Sequence, residues 1–310
     1  MSDRLSGGKA EPSAMLPSVP CAEGMSLREA LLWAARLIAA SGSTTPRLDA
    51  EVLLGHVLGL SRAQLHAHWD DPLTSAQARR YAELVPRRAA HEPVAYLLGQ
   101  KPFYDLELYV DRRALIPRPE TEHLLEEALA WGQAHQPHEG RPLRVVDVGT
   151  GSGALAIVLA RHLPQAQVWA GDISPEALAL AARNLGRYDL RERVMLVCTD
   201  LLSAFGGQFD LIVANLPYIS RGELPSLPRD VAEYEPQVAL DGGEEGLEMI
   251  RRLLAQAPER LASPGLLLLE IDHRQGDKVL EMAQAHLPDA EVTLLRDYAG
   301  LERVVRAERP

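Results

Sequence analysis

Cysteine is scarce in this sequence, which has only Cys21 and Cys198 among its 310 residues. Two cysteines so far apart offer neither a disulfide framework nor a zinc site, so no metal centre is expected and a reducing cytoplasm is the default location. A long apolar run is also missing, because no segment approaches the ~18 residues that a membrane-spanning helix needs. Residues 1–25 lack the apolar centre of a signal peptide and are predicted to form a disordered tail.

Positively charged residues are also fewer than negatively charged ones. Lysine and arginine number 32 against 43 aspartate and glutamate residues, which gives a formal net charge of −11. Proteins that bind nucleic acid usually present a basic face, so direct nucleic-acid binding is not predicted, although a local basic patch would survive this average. Apolar residues make up 46% of the chain. That share favours globular folding, and the length suits two domains.

Residues 26–100 are predicted to be a helical domain. Capping boxes begin at Ser26 and Thr74, each ahead of apolar residues with helical spacing. A further helix is predicted over about 48–58, and Ser61 can cap a short one after it. These signals concern packing and carry no chemistry of their own.

A short hairpin is predicted between this domain and the next one. Residues 103–110 and 114–116 alternate between apolar and polar side chains, as the strands of a hairpin do. We therefore expect a β-hairpin link over 101–117 and a second domain over 118–310.

A strand, a glycine-rich turn, a helix and a second strand follow one another over residues 143–172. Such a βαβ unit binds a cofactor with an adenosine part, because glycine lets the backbone turn tightly and come close to a ligand. Asp172 ends the second strand about 20 residues after the turn, where a carboxylate can accept hydrogen bonds from ribose hydroxyls. Gly149, Gly151 and Ala154 also satisfy the dinucleotide pattern, so a dehydrogenase remains open on this motif alone.

A second motif, Asn215-Leu216-Pro217-Tyr218, ends a later apolar strand over residues 209–214. The Asn215 side-chain oxygen and a neighbouring backbone carbonyl can each accept one hydrogen of a planar NH2 group. Pro217 stiffens the turn, and Tyr218 offers a flat apolar wall. Taken alone, the tetrapeptide is better explained as an ordinary turn. Together with the glycine loop it disfavours a dehydrogenase, because hydride transfer does not require a site that binds an NH2 group.

Topology connects the two motifs. In a doubly wound sheet of strand order 3-2-1-4-5, the first and fourth strands are neighbours, and ligands bind beyond their carboxyl ends. The glycine turn and Asn215 are then expected to face each other across one crevice. The remaining predicted elements are helices over about 175–188, 247–261 and 277–287, strands over 194–200 and 266–271, and a closing antiparallel pair over 291–295 and 303–306.

Several motifs occur here in the order found in the protein-(glutamine-N5) methyltransferases, and the chain resembles the branch that acts on class-I peptide chain release factors. These motifs cover about residues 26–308. They are the run over 48–54, the run over 92–99, the run over 116–122, the loop Asp147-x-Gly149-x-Gly151-x-Gly153, the tetrapeptide over 215–218, and Glu235-Pro236 with Ala239-Leu240 and Gly243.

The resemblance implies a Rossmann-like class I methyltransferase domain with a mostly parallel seven-stranded sheet, an N-terminal helical substrate-recognition domain and a β-hairpin link. It implies that S-adenosyl-L-methionine is the cofactor and that the protein methylates the glutamine of the Gly-Gly-Gln motif in release factors. Gly149, Thr150, Gly151, Ser152 and Gly153 would line its methionine part. Asp172 would bind ribose, Leu201 would lie near adenine, and Asn215, Leu216, Pro217 and Tyr218 would hold the glutamine, with Asn215 also at the cofactor.

The sequence departs from the family pattern at two site positions. Leu216 stands where the family usually has proline, and Leu201 stands where an aromatic residue usually follows the acid that ends the third strand. The form Asn-Leu-Pro-Tyr is typical of the ribosomal-RNA adenine-N6 dimethyltransferases, which are the main alternative. Those enzymes carry a basic RNA-binding surface and a C-terminal helical domain, whereas this chain is acidic and has an N-terminal one. A non-catalytic nucleotide-binding protein is a weaker alternative, because the glycine loop, Asp172 and Asn215 are intact.

Overall fold

The computed structural model describes residues 21–135 and 141–310, so the predicted tail lies outside the described residues except for 21–25. The chain divides into two compact units, one that ends at Leu98 and one that begins at Gly99. No helix within the described ranges is long and apolar enough to cross a membrane.

The first unit is a bundle of helices with its own core. Its capping boxes form at Ser26, Ser61 and Thr74, where each side chain accepts the backbone N–H three residues on. Leucine, isoleucine and alanine side chains fill the core, and the buried Tyr81 hydroxyl donates to the Ala50 carbonyl at 2.9 Å. The helices are α1 (Leu27–Ala40), α2 (Pro46–Leu58), α3 (Arg62–Ala67), α4 (Ser75–Ala89) and α5 (Val94–Leu98).

Two acidic residues of α2 are buried in this unit and paired with arginines. Asp49 accepts a hydrogen bond from Arg88 Nε at 2.7 Å, and both side chains are less than one tenth exposed. Glu51 bridges Arg47 and Arg62 at 3.0 and 2.8 Å. Breaking a buried pair on one side leaves an uncompensated charge, so these arginines serve the fold of the unit.

The second unit begins with a hairpin whose strands lie at other positions than the predicted ones. Its strands are β1 (Gln100–Phe103) and β2 (Leu106–Tyr109), and residues 114–116 form no strand. The chain reverses at Tyr104, which adopts a φ of +53° that few residues other than glycine favour. The prediction of a hairpin over 103–110 and 114–116 was wrong because this turn lacks the Gly and Asn signals of a two-residue loop.

A seven-stranded sheet forms the centre of the second unit, in the order β5-β4-β3-β6-β7-β9-β8. The first five strands in this order are parallel, and β9 runs antiparallel to β7 and β8. The predicted fold class and the 3-2-1-4-5 order are confirmed. The strands are β3 (Arg144–Val148), β4 (Gln167–Asp172), β5 (Val194–Cys198), β6 (Phe209–Ala214), β7 (Leu261–Glu270), β8 (Glu291–Arg296) and β9 (Glu302–Arg309).

Helices cover both faces of the sheet. On one face α6 (Thr121–Ala134) and α7 (Ala154–His162) pack on Val145, Val213 and Leu268. On the other face α10 (Glu248–Arg260) and α11 (Gly276–His286) pack on alternate strand residues such as Ile212 and Leu269. The remaining helices of the unit are α8 (Pro175–Arg187) and the short α9 (Arg229–Ala232). The sequence prediction did not include α6, whose first turn proves central to the site.

Candidate active site

A cavity of about 390 Å³ opens at the carboxyl ends of β3, β4 and β6. This is the point where the strand order reverses, and its volume falls in the range of small-molecule sites. Of the predicted site residues, Gly153 and Tyr218 are not among those that line it, and those that do are Gly149, Thr150, Gly151, Ser152, Asp172, Leu201, Asn215, Leu216 and Pro217.

The glycine loop leaves β3 as a tight turn. The N–H groups of Gly149 and Thr150 both donate to the Gly171 carbonyl at 2.9 Å, which ties the loop to β4. Gly151 has a φ of +56°, a conformation that a β-branched residue could adopt only under strain. Gly153 acts in packing, because a Cβ there would meet the Cβ of Ala181 at 3.2 Å.

Asp147 anchors the loop from below. Its carboxylate accepts the Thr150 hydroxyl at 2.6 Å and the Ala156 N–H at 3.2 Å, and the side chain is fully buried. Burial raises the pKa of Asp147 to about 7, although both of these hydrogen bonds lower it, and the negative charge of Asp172 raises it further. Asp147 lines the cavity, although the sequence indicates it only as the first residue of the glycine motif.

Asp172 ends β4 beside the loop. Its Oδ2 accepts the Gly151 N–H at 2.8 Å, and its Oδ1 accepts the Ser174 N–H at 2.9 Å. Burial raises its pKa, against the hydrogen bonds from Ser174, Gly151 and Ile173. A carboxylate has about four lone-pair sites, so these hydrogen bonds leave acceptor capacity for a ligand hydroxyl.

The third wall follows β5. Leu201 lines the cavity with a φ of +52° and is 8% exposed, so the turn at this position buries an aliphatic side chain. Asp200 is paired with Arg252 of α10, and Met249 of the same helix also lines the cavity. Arg252 and Met249 were not predicted as site residues, because only the packing of α10 on the sheet brings them here.

The tetrapeptide follows β6 directly. Asn215 Nδ2 donates to Thr121 Oγ1 at 3.0 Å, so the oxygen is the atom of this carboxamide that can accept from a ligand. Leu216 is 4% exposed and packs against the glycine loop. A Cβ added at Gly149 would lie only 3.1 Å from the Leu216 Cδ2 atom. Pro217 lines the cavity.

Tyr218 lies in the wall behind the cavity. Burial raises the pKa of its hydroxyl to about 12, and the negative charge of Glu270 contributes to this rise. Its backbone carbonyl accepts Gln275 Nε2 at 3.0 Å. Tyr218 therefore fixes the end of the tetrapeptide and is not a surface of the cavity itself.

Comparison with known proteins gives matches over both units. Residues 29–99 match the model of the PrmC N-terminal domain, and residues 134–226 match the methyltransferase small domain. A release factor glutamine methyltransferase from Moorella thermoacetica is 43% identical over 92% of this chain and 99% of its own length. The chain belongs to the release factor glutamine methyltransferase family. The family member from Salmonella typhimurium is 38% identical over 84% of this chain and 92% of its own length.

The fold is shared more widely than the family. The catalytic domain of hMettl16, solved in complex with a MAT2A 3′UTR hairpin, superposes with a TM-score of 0.52 over 73% of this chain and 82% of that one. Its sequence is 14% identical, so this likeness concerns the fold alone.

The residues of the cavity fit the cofactor of a methyltransferase, S-adenosyl-L-methionine. Gly149 and Gly151 line the cavity without side chains of their own, so a ligand can come close to their backbone, and Asp172 keeps acceptor sites for ribose hydroxyls. The buried negative charge of Asp172 also suits a ligand with a positively charged sulfur. Leu201 and Met249 supply an apolar place for adenine.

Two family motifs far apart in the sequence meet beside the cavity. Glu235 Oε2 accepts the Ile116 N–H at 3.1 Å, and its Oε1 pairs with Arg118, which lines the cavity. Burial raises the pKa of Glu235, whereas the positive charge of Arg118 and the hydrogen bonds lower it. Glu122 instead accepts the Tyr104 N–H at 2.9 Å. These family glutamates thus hold backbone in place.

Proposed function

We propose that this protein transfers a methyl group from S-adenosyl-L-methionine to the N5 amide nitrogen of the glutamine in the Gly-Gly-Gln motif of class-I release factors. The observation that carries the proposal is the Asn215 carboxamide, held by Thr121 in the same cavity as the glycine loop and Asp172. Membership of the release factor glutamine methyltransferase family supports the same substrate.

Each residue has a role in this proposal. Gly149, Thr150, Gly151 and Ser152 surround the methionine part of the cofactor, and Asp172 binds its ribose. Leu201 would lie at adenine, together with Met249, which lines the same cavity. When bound, S-adenosyl-L-methionine supplies an electrophilic methyl group on a positively charged sulfur.

The tetrapeptide orients the substrate. The nitrogen of a carboxamide is a poor nucleophile, since its lone pair is delocalised into the carbonyl. Asn215 Oδ1 and the Leu216 carbonyl accept the two N–H groups of the glutamine, which fixes the plane of the amide. Both acceptors also favour the positive charge that builds on the nitrogen as the new bond forms. Catalysis is then positioning together with fixed dipoles.

We infer that the helical unit contributes to recognition of the protein substrate. It has a core of its own, and it carries the match to the PrmC N-terminal domain. We place the reaction in the cytoplasm, because Cys21 and the exposed Cys198 are both free thiols. Direct binding of nucleic acid is not part of the proposal, since the chain carries a net charge of −11.

Mass spectrometry tests the proposal directly. The protein is incubated with a purified release factor and S-adenosyl-L-methionine, and the Gly-Gly-Gln peptide is analysed after digestion. One methyl group on the glutamine is expected, and Asn215→Ala should lower kcat by roughly 10²- to 10³-fold, as loss of one preorganised polar group does. An unmodified peptide together with methylated adenine in ribosomal RNA would instead establish the adenine-N6 activity.

A further inference from the structure

Glu270 is a buried carboxyl group behind the tetrapeptide. It is the last residue of β7 and is 1% exposed. Val213 of β6 pairs with Leu268 of β7, and both side chains lie on the sheet face that α6 covers. Asn215 and Glu270 each follow two residues later, so strand alternation puts them side by side on that face. Thr121, the first residue of α6, is the third member of this group, because its hydroxyl accepts a hydrogen bond from Asn215.

Polar and charged groups interact with the Glu270 carboxyl group. Burial raises its pKa to about 7, against hydrogen bonding from Thr121, the positive charge of Arg303 on β9 and hydrogen bonding from Asn215. The negative charge of Glu120, just before α6, raises this pKa, and Tyr218 faces the same carboxyl group. Within the described part of the chain, Glu270 Oε2 is buried without a hydrogen-bond partner. Glu270 itself does not line the cavity, whereas Asn215 and Thr121 do.

The orientation of a carboxamide is fixed only if a neighbouring group interacts differently with its oxygen and with its NH2 group. Turning the Asn215 side chain by half a turn exchanges its oxygen and its NH2 group at almost no change in shape. A threonine hydroxyl can both donate and accept, so Thr121 alone tolerates either orientation. An ionised carboxylate only accepts, so Glu270 favours the orientation in which the NH2 group points toward it.

We propose that Glu270 is a positioning residue that keeps the oxygen of Asn215 turned toward the substrate glutamine. This role rests on the proposed function of Asn215. Glu270 touches neither substrate nor cofactor in it, and the unpartnered Oε2 is the cost of keeping an acceptor there.

Protonation of Glu270 removes the preference, because the neutral carboxyl group can donate as well as accept. The protonated carboxyl group gains an O–H, and Asn215 and Thr121, which hydrogen-bond with it, each carry an oxygen that can accept. An O–H donated to the Asn215 oxygen takes away the atom that should hold the substrate. The reaction rate should therefore fall as the pH drops through about 7, where this buried group titrates.

Two variants of the full-length protein test the role. Glu270→Leu fills the same space without an acceptor and should lower kcat roughly tenfold or more, with the Kd for S-adenosylhomocysteine unchanged. Glu270→Gln, like the protonated carboxyl group, offers both a donor and an acceptor to Asn215, so its kcat should stay near the low value of the wild type at acid pH. It should also lose the decline toward acid pH. Asp147→Asn is the matched control, because Asp147 titrates near the same pH and its replacement should leave that decline in place.

A double-mutant cycle separates positioning from a general effect on the fold. Glu270→Leu should lower kcat no further in an Asn215→Ala background, because the carboxamide on which it acts is gone. An equal additional loss in that background would overturn the proposal. So would a Glu270→Leu variant with wild-type kcat.

A readout that does not depend on catalysis keeps the two claims apart. The Asn215 side-chain NH2 signals, assigned in a ¹⁵N spectrum by their loss in Asn215→Ala, should shift with pH around 7 in the wild type and not in Glu270→Gln. Signals that ignore pH, or that shift equally in Glu270→Gln, refute the role of Glu270 even if Glu270→Leu does not fold. Wild-type protein that leaves the release factor unmethylated refutes only the proposed function.

Discussion

Removal of the Asp172 carboxylate should weaken cofactor binding in two ways, through lost hydrogen bonds to the ligand and through a less firmly held glycine loop. The side chain accepts the Gly151 and Ser174 N–H groups at 2.8 and 2.9 Å, and it lines the cavity with acceptor capacity left for a ligand. Hydrogen bonds to a charged group contribute about 1.5 to 3 kcal/mol. Asp172→Ala should therefore raise the Kd for S-adenosylhomocysteine by roughly 10- to 150-fold.

Part of this loss would come from the glycine loop and not from the ligand. In Asp172→Ala the Gly151 N–H loses its acceptor, so the loop itself is free to move. A cycle with a second ligand separates the two effects. S-adenosylhomocysteine and its 2′-deoxy analogue are titrated into the wild type and into Asp172→Ala by calorimetry, at about pH 8 so that the carboxylate is ionised.

The wild type should bind the deoxy analogue more than about tenfold more weakly, and the variant should bind both ligands within about twofold. A variant that still distinguishes the ligands as the wild type does would show that Asp172 serves the loop alone. Ribose recognition would then have to be assigned elsewhere. Tight binding of NADH to the wild type would reopen the dehydrogenase alternative.

Four further outcomes are expected. Gly151→Val, which forces a β-branched residue to a φ of +56°, should abolish measurable S-adenosylhomocysteine binding in calorimetry, whereas Gly206→Val, at a position with open space and no positive φ, should not. Leu216→Pro keeps the carbonyl but removes a buried side chain, so urea unfolding should show a loss of about 1 to 3 kcal/mol while kcat stays within a few-fold of wild type. The folded-state pKa of Glu270 lies near 7 against an ordinary 4.5, so the folded state binds more protons than the unfolded state between these values. Wild-type stability relative to Glu270→Gln should then fall by about 3 kcal/mol as the pH rises from about 4.5 to 7 and stay level above, in urea titrations at several pH values. Residues 99–310 alone should bind S-adenosylhomocysteine normally but lose activity on intact release factor, and wild-type turnover by this fragment would place substrate docking outside the helical unit.

The sheet order was predictable because its signals are local. The apolar strands and the glycine loop each lie within a few consecutive residues, and the rules for crossover connections then leave a handful of arrangements, of which the doubly wound order 3-2-1-4-5 is a common one. The hairpin was not predictable in the same way, since its turn depends on Tyr104, a residue that ordinarily avoids positive φ. A fragment that begins at residue 118, the predicted start of the second domain, would lose the buried Phe103 and Leu108, so the structure moves this boundary back to residue 99.

The support around Asn215 could not be found from the sequence. Thr121 lies 94 residues before Asn215, and no local pattern marks it as a partner. Glu270 lies beside Asn215 because of the register between β6 and β7, and this register becomes known only when the two strands are paired. A helix at 121–134 was within reach, because Leu124, Leu125, Ala128 and Leu129 repeat at helical spacing.

The arrangement of carboxyl groups bears on whether the reaction needs a general base. Asp147 is occupied by Thr150 and a backbone N–H, Asp172 by two backbone N–H groups, and Glu235 by a backbone N–H and an arginine. Each of these carboxyl groups holds part of the site in place. An amide nitrogen becomes acidic once it carries the new bond, so its proton can leave to solvent without a dedicated acceptor. If Asn215 holds the substrate as proposed, the groups that fix Asn215 would decide the rate, and the pH dependence would report the titration of Glu270 and not that of a general base.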